Sequence, residues 1–213
     1  MNSVFLDLGL LSYEQARTLQ LKAVQDVLDG GPEQIFLLEH HPVITLGRSH
    51  SAHNLLADRS KLALMGVQVI KSTRGGDITC HFPGQLVVYP VMRLKKRPGS
   101  IKDFFAFLET MVISLLKRYN IAGHTMQSRP GVFAGGKKIC SMGTAVRRWV
   151  SYHGLALNLV REIDLFKYVN PCGYTDMSMT SVHLETKSSQ PDMTQLKKDF
   201  QEEFSRARKN YRE

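Results

Sequence analysis

Three stretches of the chain carry apolar residues at the spacing of an amphipathic helix, and they lie far apart in the sequence. The first opens at Ser12, which can form a capping box with Gln15, and it ends before a Gly-Gly pair. The second opens at Ser100, and the third spans about 192–211. Because the long intervals between them read as short strands, the order of the elements predicts an α+β fold with a mixed or antiparallel sheet flanked by helices.

Short runs rich in Ile, Leu and Val, each bounded by Gly, Pro or polar residues, are typical of strands. Such runs occupy 34–39, 43–46, 67–71, 85–91 and 152–159. Gly135 and Gly136 separate two further runs. This pair is typical of the tight turn of a β-hairpin, because glycine adopts a positive φ without steric cost.

The chain has 213 residues, 43% of them apolar and 22% charged, which is the composition of one ordinary globular domain over 1–213. Asp7 and Glu14 interrupt the N-terminal apolar residues, and no stretch approaches the roughly 18 apolar residues of a membrane span. We therefore expect a cytoplasmic protein. In that reducing compartment the three cysteines are free thiols, and none stands at a metal-binding spacing, so no metal is predicted.

The formal net charge of +9 favours an anionic partner: nucleic acid, an anionic membrane surface or an acidic protein. A surface that is basic only for solubility is the plainer alternative. Patterns of a helix-turn-helix, an RNP motif or a zinc finger are missing, and the basic residues are scattered. We therefore predict neither a nucleic acid nor a membrane as partner.

A segment rich in glycine and proline spans 74–85 and reads Arg-Gly-Gly-Asp-Ile-Thr-Cys-His-Phe-Pro-Gly-Gln. Its bare backbone amides can approach a ligand closely, while Arg74, Asp77 and His81 add charge and proton-transfer capacity. The segment matches neither the GxGxxG fingerprint nor a Walker A loop. A binding loop and a glycine-rich turn between strands are equally good interpretations of it.

Two side chains with reactive potential stand outside that segment. Cys172 lies in an Asn-Pro-Cys-Gly run that is typical of a β-turn, and a thiol on a turn is a candidate nucleophile, since free cysteines are more often buried. Lys138 falls on a predicted strand, where a lysine is usually a solvated edge residue. The adjacent His40 and His41 point to opposite faces of an extended chain and do not suggest a shared metal site.

Taken in order, four segments of the chain resemble the octanoyltransferases of lipoate biosynthesis, whose fold is similar to the catalytic domains of lipoate and biotin protein ligases. The resemblance covers 33–176. Its segments are 74–85, then Gly-Lys-Lys-Ile at 136–139, then His-Gly-Leu-Ala-Leu-Asn at 153–158, and Asn-Pro-Cys-Gly-Tyr at 170–174.

The resemblance implies that Cys172 carries the acyl group as a thioester and that Lys138 activates this thiol. It also implies that three segments line the acyl-chain site and the thioester. These are Arg74, Gly75, Gly76, Asp77, Ile78, Thr79, Cys80 and His81, then Ser141, Met142 and Gly143, and finally Gly154, Leu155 and Ala156. The chain departs from the family pattern at Cys80, where an aromatic residue is usual, and at Phe82, where glycine is usual.

A further departure is Cys140, at a position that is typically alanine in the family. It stands two positions after Lys138 on a predicted strand, so it should face the same side as the lysine. We therefore treat Cys140 as a rival nucleophile to Cys172.

The reaction that the resemblance implies is transfer of an octanoyl group from octanoyl-acyl carrier protein, through a thioester on Cys172, to a lysine ε-amine. The acceptors would be lipoyl domains of 2-oxoacid dehydrogenase E2 subunits and the glycine cleavage H protein. Because such carrier and acceptor proteins are typically acidic, the resemblance also implies that the net charge of +9 serves docking, and we expect Arg74, Arg147, Arg148 and 95–97 to face these proteins. No cofactor is expected, because the thioester already carries the activation energy. Two alternatives stay open: an ATP-dependent lipoate or biotin protein ligase, which would place no covalent role on a cysteine, and a basic nucleic-acid-binding protein.

Overall fold

A computed structural model describes residues 3–97, 99–187 and 190–212. In chain order the helices and strands are β1 (Val4–Leu11), α1 (Tyr13–Leu28), β2 (Gln34–His40), β3 (Val43–Leu46), α2 (Arg59–Leu64), β4 (Gln68–Lys71), β5 (Ile78–His81), β6 (Gln85–Val91), α3 (Ser100–Lys117), β7 (His124–Met126), β8 (Arg129–Ala134), β9 (Lys137–Arg147), β10 (Val150–Asn158), α4 (Val182–Glu185) and α5 (Met193–Arg212). Short 3₁₀ turns cover Ala52–Asn54, Asp164–Tyr168 and Pro171–Gly173.

The strands form two sheets. The larger has seven strands in the order β1-β2-β6-β10-β9-β8-β7, in which β1 and β2 are parallel and the other neighbours antiparallel. The smaller has the order β4-β3-β5, with β3 parallel to β4 and antiparallel to β5. The α+β prediction with a mixed sheet flanked by helices is therefore confirmed.

Helices cover both faces of the seven-stranded sheet. Successive side chains of a strand point to opposite faces, and the inner strands are apolar on both, so each face needs a helix layer. On β2, Ile35 and Leu37 pack in a core with α3 and α5, whereas Phe36 and Leu38 pack in a second core with α1. A third core lies on the small sheet and includes α2 and the 3₁₀ turn at Asp164–Tyr168. The apolar stripe predicted for 192–211 is the buried face of α5, where Phe200 is fully buried.

The ends of α1 follow the sequence signals. Ser12 Oγ accepts a hydrogen bond from the amide of Gln15, and the side chain of Gln15 accepts one from the amide of Ser12, which is the predicted capping box. The strand β1 was not predicted. It lies at the edge of the sheet, where its residues are partly or fully exposed, and Asp7 and Gly9 interrupt its apolar residues.

Two hairpins of the large sheet have two-residue turns with a left-handed backbone. One turn consists of glycines and the other of residues with large side chains. The β8–β9 turn consists of Gly135 and Gly136, with φ values of 54° and 76°, as the Gly-Gly pair predicted. The β9–β10 turn consists of Arg148 and Trp149, with φ values of 50° and 67°. A left-handed backbone costs an L-residue roughly 1–2 kcal/mol, so the second turn holds strain that the first avoids.

Candidate active site

A cavity of about 140 Å³ lies between the two sheets. Thirteen of the predicted site residues line it: Arg74, Gly76, Asp77, Thr79, His81, Lys138, Ser141, Met142, Gly143, Gly154, Leu155, Ala156 and Cys172. Five further lining residues were not among the predicted site residues: Tyr13, Tyr89, Pro130, His153 and Tyr174. The segments that the sequence motifs singled out therefore meet at one place.

Three predicted site residues, Gly75, Ile78 and Cys80, do not line the cavity. The segment expected to be a loop contains a strand, β5, along which Thr79 and His81 face the cavity while Ile78 and Cys80 alternate into the core of the small sheet. Burial raises the pKa of the Cys80 thiol far above its ordinary value. Gly75 instead lies against β9, where its amide donates to Thr144 O at 3.0 Å.

The candidate nucleophile Cys172 lies in the turn predicted from its sequence, between Pro171 and Gly173, and it is partly exposed. Its backbone is left-handed, with φ 58° and ψ 16°. Hydrogen bonds on both sides hold this turn: the amide of Gly173 donates to Asn170 O, and the amide of Asn170 donates to Asn54 O. A strained residue held by its surroundings is typical of functional sites.

Lys138 brings its ammonium group directly to this thiol. Lys138 Nζ lies 3.1 Å from Cys172 Sγ, although the two residues are 34 positions apart. The lysine is 1% exposed, so it is not the solvated edge residue that strand lysines usually are. Among the described residues no carboxylate lies within ion-pair distance of Nζ, which contacts the sulfur and lies 5.5 Å from the centre of the Phe133 ring.

The path of the Lys138 side chain depends on a glycine. A Cβ atom built on Gly131 would lie 2.7 Å from Lys138 Cε and 2.4 Å from Cys140 O. Gly131 has a φ of 122°, a conformation that L side chains rarely adopt. The amide of Gly131 is fixed by Glu109, whose Oε1 accepts its hydrogen bond at 3.0 Å.

The expectation that Cys140 faces the same side as Lys138 is wrong, because β9 has a bulge between them. Cys140 pairs with Val132 of β8 and Lys138 pairs with the next residue, Phe133, so Ile139 is an extra residue that reverses the alternation. Cys140 is fully buried in the core with α3 and α5. Burial raises the pKa of its thiol to about 12, which leaves it protonated and unsuited to act as a nucleophile.

Arg74 adds a second buried cation to the cavity. Its guanidinium donates to Thr45 Oγ1, to Thr45 O at 2.6 Å and to Gly75 O at 3.1 Å, and no described carboxylate pairs with it. Burial lowers the pKa of Arg74, an effect opposed by Tyr13 and by the nearby Cys172. Since Arg74 is only 7% exposed, it does not belong to an outer docking surface, and that prediction is wrong for this residue.

Histidine and tyrosine side chains form one end of the cavity. Tyr13 stacks on His81 and His153, and His40 lies behind them, where its Nε2 accepts from the hydroxyl of Tyr89 at 2.8 Å. Burial lowers the pKa of His40 to about 4 and that of His153 to about 3, with nearby arginines adding to the second shift. Burial also places the pKa of His81 well below its ordinary value, so these rings are neutral at pH 7.

Four lining side chains have a buried polar atom that no described residue hydrogen-bonds. These atoms are Asp77 Oδ1, Thr79 Oγ1, Ser141 Oγ and His153 Nδ1. Buried polar atoms are normally satisfied, so each of them is suited to meet a polar group of a ligand or a water molecule. The cavity thus combines apolar walls with polar groups that can orient a substrate.

The chain is similar to known proteins over most of its length. Residues 12–205 match the family model of the lipoyl protein ligase A/B catalytic domain. An octanoyltransferase of Nitratidesulfovibrio vulgaris (strain Miyazaki F) is 47% identical over 90% of this chain and 88% of its own length. Another octanoyltransferase, of Maridesulfovibrio salexigens, is 41% identical over 95% and 94%.

Among solved structures, a putative lipoate protein ligase from T. acidophilum superposes with a TM-score of 0.77 over 97% of this chain and 85% of the other, at 16% identity. That likeness shows the fold. The family model and the sequence relatives show that the chain belongs to the lipoyl protein ligase A/B catalytic domain family, among the octanoyltransferases. Within the described residues, no helix combines the length and apolarity needed to cross a membrane.

Proposed function

We propose that the chain transfers an octanoyl group from octanoyl-acyl carrier protein to the ε-amine of a lysine on a lipoyl domain, through a thioester on Cys172. The acceptors would be lipoyl domains of 2-oxoacid dehydrogenase E2 subunits and the glycine cleavage H protein. The observation that carries the proposal is the 3.1 Å contact between Lys138 Nζ and Cys172 Sγ in a cavity of suitable lining. The relatives named octanoyltransferase support the choice of acyl group.

In the first half-reaction the Lys138 ammonium stabilises the Cys172 thiolate, which attacks the carbonyl carbon of the donor thioester. A bond forms between Cys172 Sγ and that carbon, and the bond to the carrier sulfur breaks. The departing carrier thiolate takes a proton from Lys138, leaving a neutral amine. Backbone amides near Gly143 and Cys172 are suited to stabilise the negative oxygen of the tetrahedral intermediate, and Arg74 adds positive charge nearby.

In the second half-reaction the acceptor lysine attacks the enzyme thioester as a free amine. Neutral Lys138 takes the proton that the attacking nitrogen loses, and the Cys172 thiolate leaves. The amide product is released and the pair returns to its starting charge state, so neither a metal nor ATP enters the balance. His81 is neutral, and its Nδ1 donates to Gln85 Oε1 at 2.7 Å, so it can orient substrate groups with its remaining nitrogen.

The apolar part of the cavity suits the acyl chain. Met142, Leu155 and Ala156 lie on neighbouring strands β9 and β10 and line the space beside the lysine and the thiol. A chain attached to Cys172 would lie along these residues and gain the free energy of burying its methylene groups.

The test is intact-protein mass spectrometry after incubation with octanoyl-acyl carrier protein. We expect one added octanoyl group on the wild type and on Cys140→Ala, and none on Cys172→Ala. Addition of an apo lipoyl domain should then remove the group from the enzyme and place it on the acceptor. An adduct that persists on Cys172→Ala would exclude this nucleophile.

The same assay separates the transferase from the ATP-dependent ligase that shares its fold. With free octanoate, ATP and magnesium in place of the acylated carrier, we expect no modified acceptor. Modification under those conditions that survives Cys172→Ala would establish the ligase and overturn the proposal.

A further inference from the structure

The strained β9–β10 turn lies beside a second basic segment on the surface. Leu94 donates from its amide to Trp149 O at 2.8 Å, and Arg93 bridges to Val150, so the residues that follow Leu94 lie next to the turn. The exposed residues brought together in this way form what we call the basic turn surface. It consists of Lys95, Lys96, Arg97, Arg147, Arg148 and Trp149.

The charges of the basic turn surface are largely unneutralised. Arg97 pairs with Asp103, but in the described part of the chain the other four cations form no ion pair. Trp149, the single tryptophan of the chain, is 38% exposed beside them, whereas tryptophan side chains are on average highly buried. Cations flanking an exposed aromatic ring are typical of a protein-binding surface that takes an acidic partner.

The backbone of the turn also points to a role for its side chains. Arg148 and Trp149 occupy left-handed positions where an Asn-Gly pair would be relaxed, and the chain does use glycines in the neighbouring hairpin. A strained turn that presents a cation and an aromatic ring is better explained by what these side chains contact than by the fold.

The distance between this surface and the cavity indicates which of the two protein substrates would dock there. Ser141, Met142 and Gly143 line the cavity, and β9 continues from Gly143 to Arg147 over four residues, about 13 Å of extended chain. An acyl carrier protein presents its thioester on a long flexible arm and can dock at that distance. A lipoyl domain presents a lysine side chain, which is much shorter and requires closer approach.

We propose that the basic turn surface docks an acidic acyl carrier protein, whose acylated arm then enters the cavity. This inference rests on the proposed function, because it names the surface that receives the donor of that reaction. Opposite charges across such an interface raise the association rate and make it depend on salt.

The test compares a protein-bound donor with a small one. The double variant Arg147→Glu with Arg148→Glu should lower kcat/KM for octanoyl-acyl carrier protein about tenfold or more at low salt, and the deficit should shrink as salt is added. With octanoyl-pantetheine, a neutral donor without the protein, the variant should match the wild type. The control Lys198→Glu with Lys209→Glu makes the same change of net charge on exposed residues of α5 and should have little effect.

A second variant removes the side chains while relaxing the backbone. Arg148→Asn with Trp149→Gly should keep or raise the melting temperature, yet lower kcat/KM for the carrier-bound donor. Carrier kinetics equal to the wild type in both variants would overturn the docking proposal, as would a rise in KM for the lipoyl acceptor with the carrier unaffected. Failure of the proposed function itself would be visible separately, as no transfer by the wild type from either donor.

Discussion

The two sides of the seven-stranded sheet differ in what they bury. Under α3 and α5 the sheet packs against an apolar core that includes Phe104 and Phe200, with Cys140 among the aliphatic residues. On the side of α1 and the small sheet, the cavity buries two cations, Lys138 and Arg74, with neutral histidines and tyrosines around them.

This difference indicates which side of the sheet stabilises the folded state more and which side lowers its stability. Burial of apolar side chains stabilises the folded state, whereas burial of a charge without a carboxylate partner opposes it. The strained backbones of Cys172 and His153 lie on the cavity side as well. The side of α3 and α5 therefore mainly stabilises the fold, whereas the side of α1 has an apolar core of its own and also holds groups whose arrangement is favourable for a reaction.

The largest effect should come from removing the cation beside the thiol. Lys138→Met should lower the rate of acyl-enzyme formation by about 10² to 10⁴, because the ammonium stabilises the thiolate and then supplies the proton. Single-turnover mass spectrometry would measure this rate. The melting temperature should stay equal or rise, since an apolar side chain replaces a buried charge. A variant within threefold of the wild-type rate would contradict this role of Lys138.

The opposite outcome is expected on the apolar side. Phe200→Ala should lower the free energy of unfolding by about 3–5 kcal/mol, because it leaves a cavity in the core between α3 and α5. Urea unfolding would measure the change, with the exposed Lys198→Ala as control. The folded fraction should keep its kcat, and a specific loss of kcat at full folding would show that the two sides are not separable.

Acid should destabilise the folded protein through buried histidines on the cavity side of the sheet. His40 and His153 have a pKa lowered from 6.5 to about 4 and about 3, so below pH 6.5 the unfolded chain binds protons that the folded protein does not. Stability is thus full above pH 6.5 and is lost as pH falls toward those values, by up to about 1.4 kcal/mol per pH unit for each histidine.

Denaturant titrations at several pH values would measure this loss. His40→Gln should reduce the slope between pH 6.5 and 5, while the exposed His53→Gln should leave it unchanged. Equal slopes for the wild type and His40→Gln would show that His40 is not buried in its neutral form.

The smallest effect on activity should come from changing a buried thiol, since the cavity has a partly exposed cysteine and the apolar core a buried one. A maleimide should modify one cysteine of the native protein, Cys172, and all three in urea, since Cys80 and Cys140 are fully buried. Cys140→Ala should leave kcat within about twofold. Rapid native labelling of Cys140, read by peptide mass spectrometry, would contradict the burial described for it.

Much of the fold could be predicted because its signals are local. The capping box at Ser12, the stripe of α5 and the Gly135-Gly136 turn each depend on residues that are neighbours in sequence. The sequence does not indicate the strand β5, because the glycines and the proline on either side of its four buried residues are typical of a loop.

The site was predictable only in part for a related reason. Its motif residues could be assigned through resemblance, but Tyr13 and Tyr89 reach the cavity through the packing of α1 and β6, which no local pattern records. The side on which Cys140 lies depends on a bulge whose partner strand is not visible in the sequence of β9.

That bulge decides, through the number of residues in the strand, which faces of the sheet the amine and the buried thiol take. A regular strand of the same residues would put Lys138 and Cys140, which are two positions apart, on one face. With the bulge, Lys138 and Ser141 both line the cavity although they are three positions apart, while Cys140 lies in the core. Deletion of Ile139 would leave Lys138 and Ser141 two positions apart in a regular strand and so again on one face, whereas an insertion or deletion elsewhere between them would turn the lysine away from Cys172. The bulge is therefore the place where this strand can most readily change its length during evolution.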